Sequence, residues 1–127
     1  MNALDVQVDG DHYKKLRLQP IELAYLVGGT PCFCKLAKYG SREKVDRSID
    51  LKKALHCISL EAQLRIKYRA LFEENYRPRT SAELDSAKAW IEIFTEDELL
   101  RDALNSMLAR NYTSAENSIK AMLATYE

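Results

Sequence analysis

The stretch SIDLKKALHCISLEAQLRIKYRALFEEN, residues 48–75, decides the fold. It contains neither Gly nor Pro, and Leu51, Leu55, Ile58 and Ala62 fall on one stripe at helical spacing. Ser48 suits the N-cap position, and Asp50 sits in the first turn against the positive end of the helix dipole. The stretch therefore predicts one long helix of at least about six turns. Upstream of it, Pro20 fits a first helical turn, where its missing N–H would be unbonded anyway, and Glu22 again faces the positive dipole end. That helix, Pro20–Val27, should stop at Gly28-Gly29. Thr30 and Pro31 repeat the start signal, and the segment through Tyr39 should end at Gly40 as a left-handed cap. Ser41 to Arg47 reads as a charged connector, and residues 1–18 as irregular, with Val6 and Val8 alternating as one short extended piece would.

Downstream, three capping boxes open three amphipathic runs: Thr80 with Glu83, Thr95 with Glu98, and Thr113 with Glu116. The first run carries Leu84, Ala87, Ile91 and Phe94. The second carries Leu99 or Leu100, Ala103, Leu104, Met107 and Leu108; the third carries Ala115, Ile119, Met122 and Tyr126. The intervals differ and the stripes do not align, so this is shared helix-start chemistry and no repeat. With only 4 glycines and 3 prolines, placed at helix ends, the chain reads as all-α. The expected architecture is one long central helix with two short N-terminal helices and a three-helix C-terminal extension. Residues 1–76 form the first region and 77–127 an extension packed on it, within a single compact domain.

A chain of 127 residues is long enough to bury a core. Lys plus Arg and Asp plus Glu stand at 19 each, which argues against holding nucleic acid mainly by counterion release; nucleic acid is not an expected partner. Cys32, Cys34 and Cys57 are odd in number and lack a second CxxC or His pair, which points away from disulfides and zinc and toward a reducing cytosol. MNALDVQVDGDHYKK holds no apolar run of signal-peptide length, and no stretch approaches the roughly 20 apolar residues of a membrane span. The expectation is a soluble, cytoplasmic protein.

Several polar residues stand out as candidates for chemistry. Lys38 and Arg42 are four apart, so they share a face if the second helix persists one more turn and can then hold a phosphate or carboxylate together. A bend at Gly40 would leave Arg42 on a loop, and an exposed basic face is the plain alternative. Lys35, Arg47, Lys52 and Lys53 thicken the positive region. His12, in a polar stretch, could act as acid, base or phosphate donor, or simply mark a turn anchored by Tyr13. Asp50 either stabilises a helix start or holds Lys38 or Arg42 as an ion-pair partner. His56 reads as a core or boundary histidine, and nothing places a base and a third orienting group around Cys57. Gly28-Gly29-Thr30 lacks the spacer and the Lys-Ser/Thr of a Walker A loop. Glu61, Glu73-Glu74, Glu92 and Glu96-Asp97-Glu98 lack the repeated ExxE and ExxD spacing of a magnesium-dependent pyrophosphatase, so no metal site is read.

The order His12-Tyr13, Gln19-Pro20-Ile21-Glu22, Lys38-Tyr39 with Arg42, then Asp50-Leu51-Lys52-Lys53-Ala54 resembles a family of small tailed-bacteriophage proteins, the SaV-like or P-loop-less nucleotide kinases. The resemblance covers roughly residues 11–64. It implies a phage-encoded nucleotide-binding protein acting in the host cytoplasm, a nucleoside monophosphate kinase if active, with magnesium arriving only with the nucleotide and no other cofactor required. By the same resemblance His12 would be catalytic, with Tyr13, Lys38, Tyr39, Arg42, Asp50 and Lys53 around the ligand, and the protein would be a homo-oligomer. Cys34 and Lys35 stand where members usually carry a Gly-Asn pair. Two other readings stay open. One is a non-enzymatic phage protein that inhibits a host enzyme or defence system through Tyr76, Arg77, Arg79, Trp90 and Tyr112 of its C-terminal half. The other is sequestration of a nucleotide signal without turnover.

Overall fold

The computed structural model describes residues 17–42 and 46–127, and these form seven helices and no strand. His12, Tyr13, Val6 and Val8 lie outside the described residues. Helix α1 spans Pro20–Val27 and α2 Pro31–Ser41; α3 spans Arg47–Lys67, α4 Arg69–Asn75, α5 Ser81–Phe94, α6 Glu98–Leu108 and α7 Tyr112–Ala124. Helix α3 packs against both α2 and α7, α6 against α7, α5 and α2, and α1 against α2 and α5. One hydrophobic core joins Leu23, Phe33, Leu36, Leu51 and Ile58 to Ile91, Phe94, Leu104 and Ile119, so residues 77–127 share the core of the first half. None of the described helices is long and apolar enough to cross a membrane.

Helix α1 starts at Pro20 and stops at Gly28, whose φ of 64° and ψ of 41° need the freedom of glycine. Helix α2 starts as read, with the Thr30 hydroxyl accepting from Phe33 N at 3.0 Å. Its end differs. Gly40 lies inside the helix, is buried, and any Cβ there would collide with Leu100 of α6. The glycine thus serves a close helix approach and not a left-handed turn, and α2 runs on to Ser41 with Arg42 as its C-cap.

The long helix is also corrected. It ends at Lys67, Tyr68 leaves helical geometry with φ −119° and ψ 46°, and α4 begins in a new direction. No Gly or Pro marks the break because its cause is tertiary. The redirected α4 sets Glu73 under Arg110, at 2.8 Å, and beside Arg65, at 3.6 Å, and it offers the Tyr76 carbonyl to Arg110. The buried stripe of α3 is Asp50, Leu51, Ala54, Cys57, Ile58 and Glu61, while Leu55 and Ala62 are half-buried.

Helix starts are only partly as read. The Thr80 box forms, with Glu83 N donating to Thr80 Oγ1 at 3.2 Å and Thr80 N to Glu83 Oε1 at 3.0 Å. Arg77 clamps the same carboxylate, its Nη1 and Nη2 each 2.9 Å from a Glu83 oxygen, and holds the Glu83 pKa down to about 2. The other caps belong to neighbours: Asp46 replaces Ser48 on α3, Asp97 replaces Thr95 on α6, and Asn111 replaces Thr113 on α7. Thr95 is occupied as the C-cap of α5, its carbonyl accepting from Arg101 Nε at 2.6 Å, which leaves Asp97 to open α6. Asn111 follows a Schellman turn in which Asn111 N reaches Ser106 O at 2.8 Å and Arg110 N reaches Met107 O at 3.0 Å. That turn places Asn111, and not Thr113, at the mouth of α7.

Replacing Asp97 or Asn111 by Ala should therefore lower the unfolding free energy by about 0.5–2 kcal/mol. Thr113→Ala, inside the first turn, should change it by less than about 0.5 kcal/mol. Urea denaturation of the three variants checks both expectations; an effect of Thr113→Ala as large as that of Asn111→Ala would restore the other cap.

Candidate functional site

The turn from α2 to α3 is held by Arg47. Its guanidinium donates to the carbonyls of Tyr39 at 3.1 Å and Gly40 at 2.9 Å, and also to that of Arg42. These are the carbonyls that the end of α2 leaves unpaired, and a cation there also suits the negative end of the helix dipole. The backbone of Tyr39 is thereby fixed. Its half-buried ring is surrounded by cations: Lys53 Nζ lies 5.5 Å from the ring centroid, Lys38 Nζ 5.7 Å and Arg42 Cζ 5.8 Å. Each lies within the range of cation–π attraction.

Arg42 does not stand free. It pairs with Asp50 at 3.7 Å, and the two side chains are only 11% and 5% exposed. Asp50 thus holds Arg42 in addition to sitting in the first turn of α3, which joins the two readings of that residue. Arg42 Nε and Asp50 Oδ2 remain buried with no hydrogen-bond partner among the described residues. Of the residues singled out from the sequence, Lys38, Tyr39, Arg42, Asp50 and Lys53 come together; His12 and Tyr13 lie outside the described residues.

Beside Tyr39 opens a groove of about 520 Å³ between α2 and α3. Tyr39, Ile49, Cys57 and Leu60 supply its apolar surface, and Lys35, Lys52, Lys53 and His56 its polar one. Sequence reasoning missed His56 here: it is exposed on the groove and not a core or boundary histidine. It missed Ile49 as well, although an apolar side chain half exposed in the first turn of a helix is a signal of the right kind. Glu127 approaches Lys52 from beyond α7 at 3.9 Å, and Tyr126 lies against the Arg47 guanidinium at 5.8 Å. Burial pushes the Cys57 thiol pKa up against the opposing charge of Lys35, so the thiol stays protonated near neutrality. No group of three His, Cys, Asp or Glu side chains that could hold a metal ion occurs among the described residues.

A second polar cluster lies inside the fold. Glu61 is buried and accepts from the Thr30 hydroxyl, with Arg79 and Arg110 near enough to act on its charge. Arg79 donates to Leu108 O at 3.2 Å and to the carbonyls of Val27 and Gly28, which ties α1, α5 and α6 together. Tyr112 packs inward, and burial with the Glu61 charge beside it raises its pKa. Arg79 and Tyr112 are thus not parts of an exposed C-terminal surface, as their composition suggested. The space in this cluster, about 10 Å³, has room for no more than a water molecule.

No protein-family model matches this chain, and no curated protein or solved structure matches it. The resemblance over residues 11–64 therefore rests on its motifs alone.

Burial raises the Glu61 pKa above 4.5, while the hydroxyls of Thr30 and Tyr112 and the charges of Arg79 and Arg110 pull it back. A raised folded-state pKa means that the contribution of Glu61 to stability is complete below about 4.5, the unfolded value, and is lost as pH rises through the folded one. The stability difference between Glu61→Gln and the wild type should accordingly move in favour of the variant with rising pH. Urea denaturation across a pH series reads this directly, and a flat difference would show that Glu61 titrates alike in both states.

Proposed function

We propose that the chain binds a nucleotide in the groove between α2 and α3, with the phosphates on its lysines and the base against Ile49, Leu60 and the Tyr39 ring. The observation that carries this reading is a single groove whose lining combines the cations Lys35, Lys52 and Lys53 with the apolar surface of Tyr39, Ile49, Cys57 and Leu60. A volume of about 520 Å³ lies within the range of small-molecule sites. The two motifs of the resemblance, Lys38-Tyr39 with Arg42 and Asp50 to Ala54, meet at this place. Phosphoryl transfer is the further activity that the resemblance suggests, with His12 as its acid, base or phosphate carrier and magnesium brought by the nucleotide. Release of ADP from ATP in the presence of nucleoside monophosphates separates that activity from binding without turnover.

Lys53 is the residue to reverse. Arg42→Glu would set a second carboxylate beside buried Asp50 and damage the fold, whereas Lys53 is exposed. A nucleotide at about 100 times its Kd should stabilise the wild type by roughly 2.7 kcal/mol, a melting shift of several degrees. Lys53→Glu should markedly reduce that shift while lowering the melting temperature of the free protein only slightly, by its lost contact with the Tyr39 ring. A wild type that no nucleoside mono-, di- or triphosphate stabilises would sink the reading.

One observation favours a second reading, that of a protein-contact surface for a host protein or another copy of this chain. Ile21, Tyr25, Leu26, Trp90 and Ile93 are exposed on α1 and α5, Tyr25 by 87%. A groove of about 430 Å³ lies between these helices, with Leu26, Val27, Ala87 and Trp90 in its lining. Loss of self-association or of partner capture in Tyr25→Ala with Trp90→Ala, with nucleotide shifts intact, would establish this surface as separate from the first groove.

A further inference from the structure

We infer that the groove between α2 and α3 grades its ligands by phosphate count and is nearly indifferent to the base; this rests on the nucleotide reading above. Among the described residues its lining holds no Asp, Glu, Asn, Gln, Ser or Thr. Lys35, Lys52 and Lys53 present donors only, and a lysine has no acceptor to offer. Every nucleobase carries at least one N–H on its pairing edge: an amino group on adenine and cytosine, ring and amino N–H on guanine, a ring N–H on uracil.

Reading those edges takes acceptors placed to match. Among the described residues the lining side chains supply them at two places, the Tyr39 hydroxyl and the His56 ring. The nearest carboxylate on α3, Asp50, is buried against Arg42 and turned to that partner. Strong discrimination between ligands arises where buried polar groups are left unpaired by the wrong one. Ile49, Leu60 and the Tyr39 ring cannot impose that penalty, since they meet the face of a base, which all bases have.

Phosphates are different, because each one adds negative charge and acceptor oxygens opposite flexible cations. One such cation, Lys52, has the Glu127 carboxylate 3.9 Å away at the surface. These cations are exposed, so each phosphate should add a modest factor, about threefold at low salt, on the scale of surface charge pairs.

Isothermal titration of the full chain with AMP, ADP, ATP, GTP, CTP, UTP, adenosine and inorganic tripolyphosphate tests the inference. Affinity should climb about tenfold from AMP to ATP, and the four triphosphates should agree within about threefold. Tripolyphosphate should bind and compete with ATP, adenosine should bind about threefold more weakly than AMP, and higher salt should weaken the binding of every phosphate ligand. Lys53→Glu should weaken tripolyphosphate binding by about tenfold, since it both removes and reverses one charge. A spread among bases wider than that among phosphate numbers overturns this inference and leaves the nucleotide reading standing. Tripolyphosphate binding of unchanged affinity in Lys53→Glu also overturns it, by placing the anion elsewhere. Failure of every nucleotide and of tripolyphosphate to bind overturns both.

Discussion

Two buried acids on one helix set the geometry of this molecule. Asp50 and Glu61 both lie on the core-facing stripe of α3, and each takes its partner from an opposite end of α2. Thr30, the N-cap of α2, donates to Glu61; Arg42, its C-cap, pairs with Asp50. The acids are eleven positions apart, about 16 Å along a helix, and α2 is 11 residues long. The match pins α2 antiparallel on α3 at both ends. Buried pairs of this kind contribute little net stability, because desolvation offsets most of the attraction, but a sliding or inverted helix would leave a charge buried alone. The acids therefore act on register.

The groove follows from that register. With α2 held at both ends, Tyr39 falls between Arg42 and Lys53, and Lys35 faces the lysines of α3. Arg42 is already neutralised by Asp50, so the charge that remains open to a ligand belongs to lysines. For the proposed ligand this moves the anchor from the Lys38 and Arg42 pair to Lys35, Lys52 and Lys53. Lysine is a mobile point charge and arginine a fixed fork, so the exchange trades geometric selectivity for charge.

The arginines are used mainly in a different way. Arg47 binds carbonyls at the end of α2, and Arg101 those of Glu92 and Thr95 at the end of α5. Arg79 serves the ends of α1 and α6, and Arg110 that of α4. Each satisfies acceptors that a helix terminus cannot bond internally and opposes the negative end of its dipole. Arg110 does so from φ 62°, a left-handed position that glycine usually fills, where its side chain also meets Glu73 and the Phe72 ring. Short helices joined by tight turns are thus held by guanidinium groups reaching across to a neighbour's end. The same commitment explains how a chain with many basic residues leaves few arginines free.

Local chemistry wrote much of this into the sequence. The helical class, the bounds of α1, the Thr30 and Thr80 caps and most of the core stripes follow from 3.6-residue periodicity, proline at a first turn and a hydroxyl reaching one turn forward. Those forces act within four or five residues, so one chain segment contains all their partners. The gathering of Lys38, Tyr39, Arg42, Asp50 and Lys53 was visible as motifs but not as a groove. What only the tertiary structure decided are features whose second partner is distant in the chain. Gly40 is set by Leu100, the break at Tyr68 by what Arg110 receives from α4, and the burial of Glu61 by the Thr30 hydroxyl. A glycine, a missing helix breaker or an acid on an apolar stripe looks the same in sequence whatever it later touches, and packing alone selects the contact.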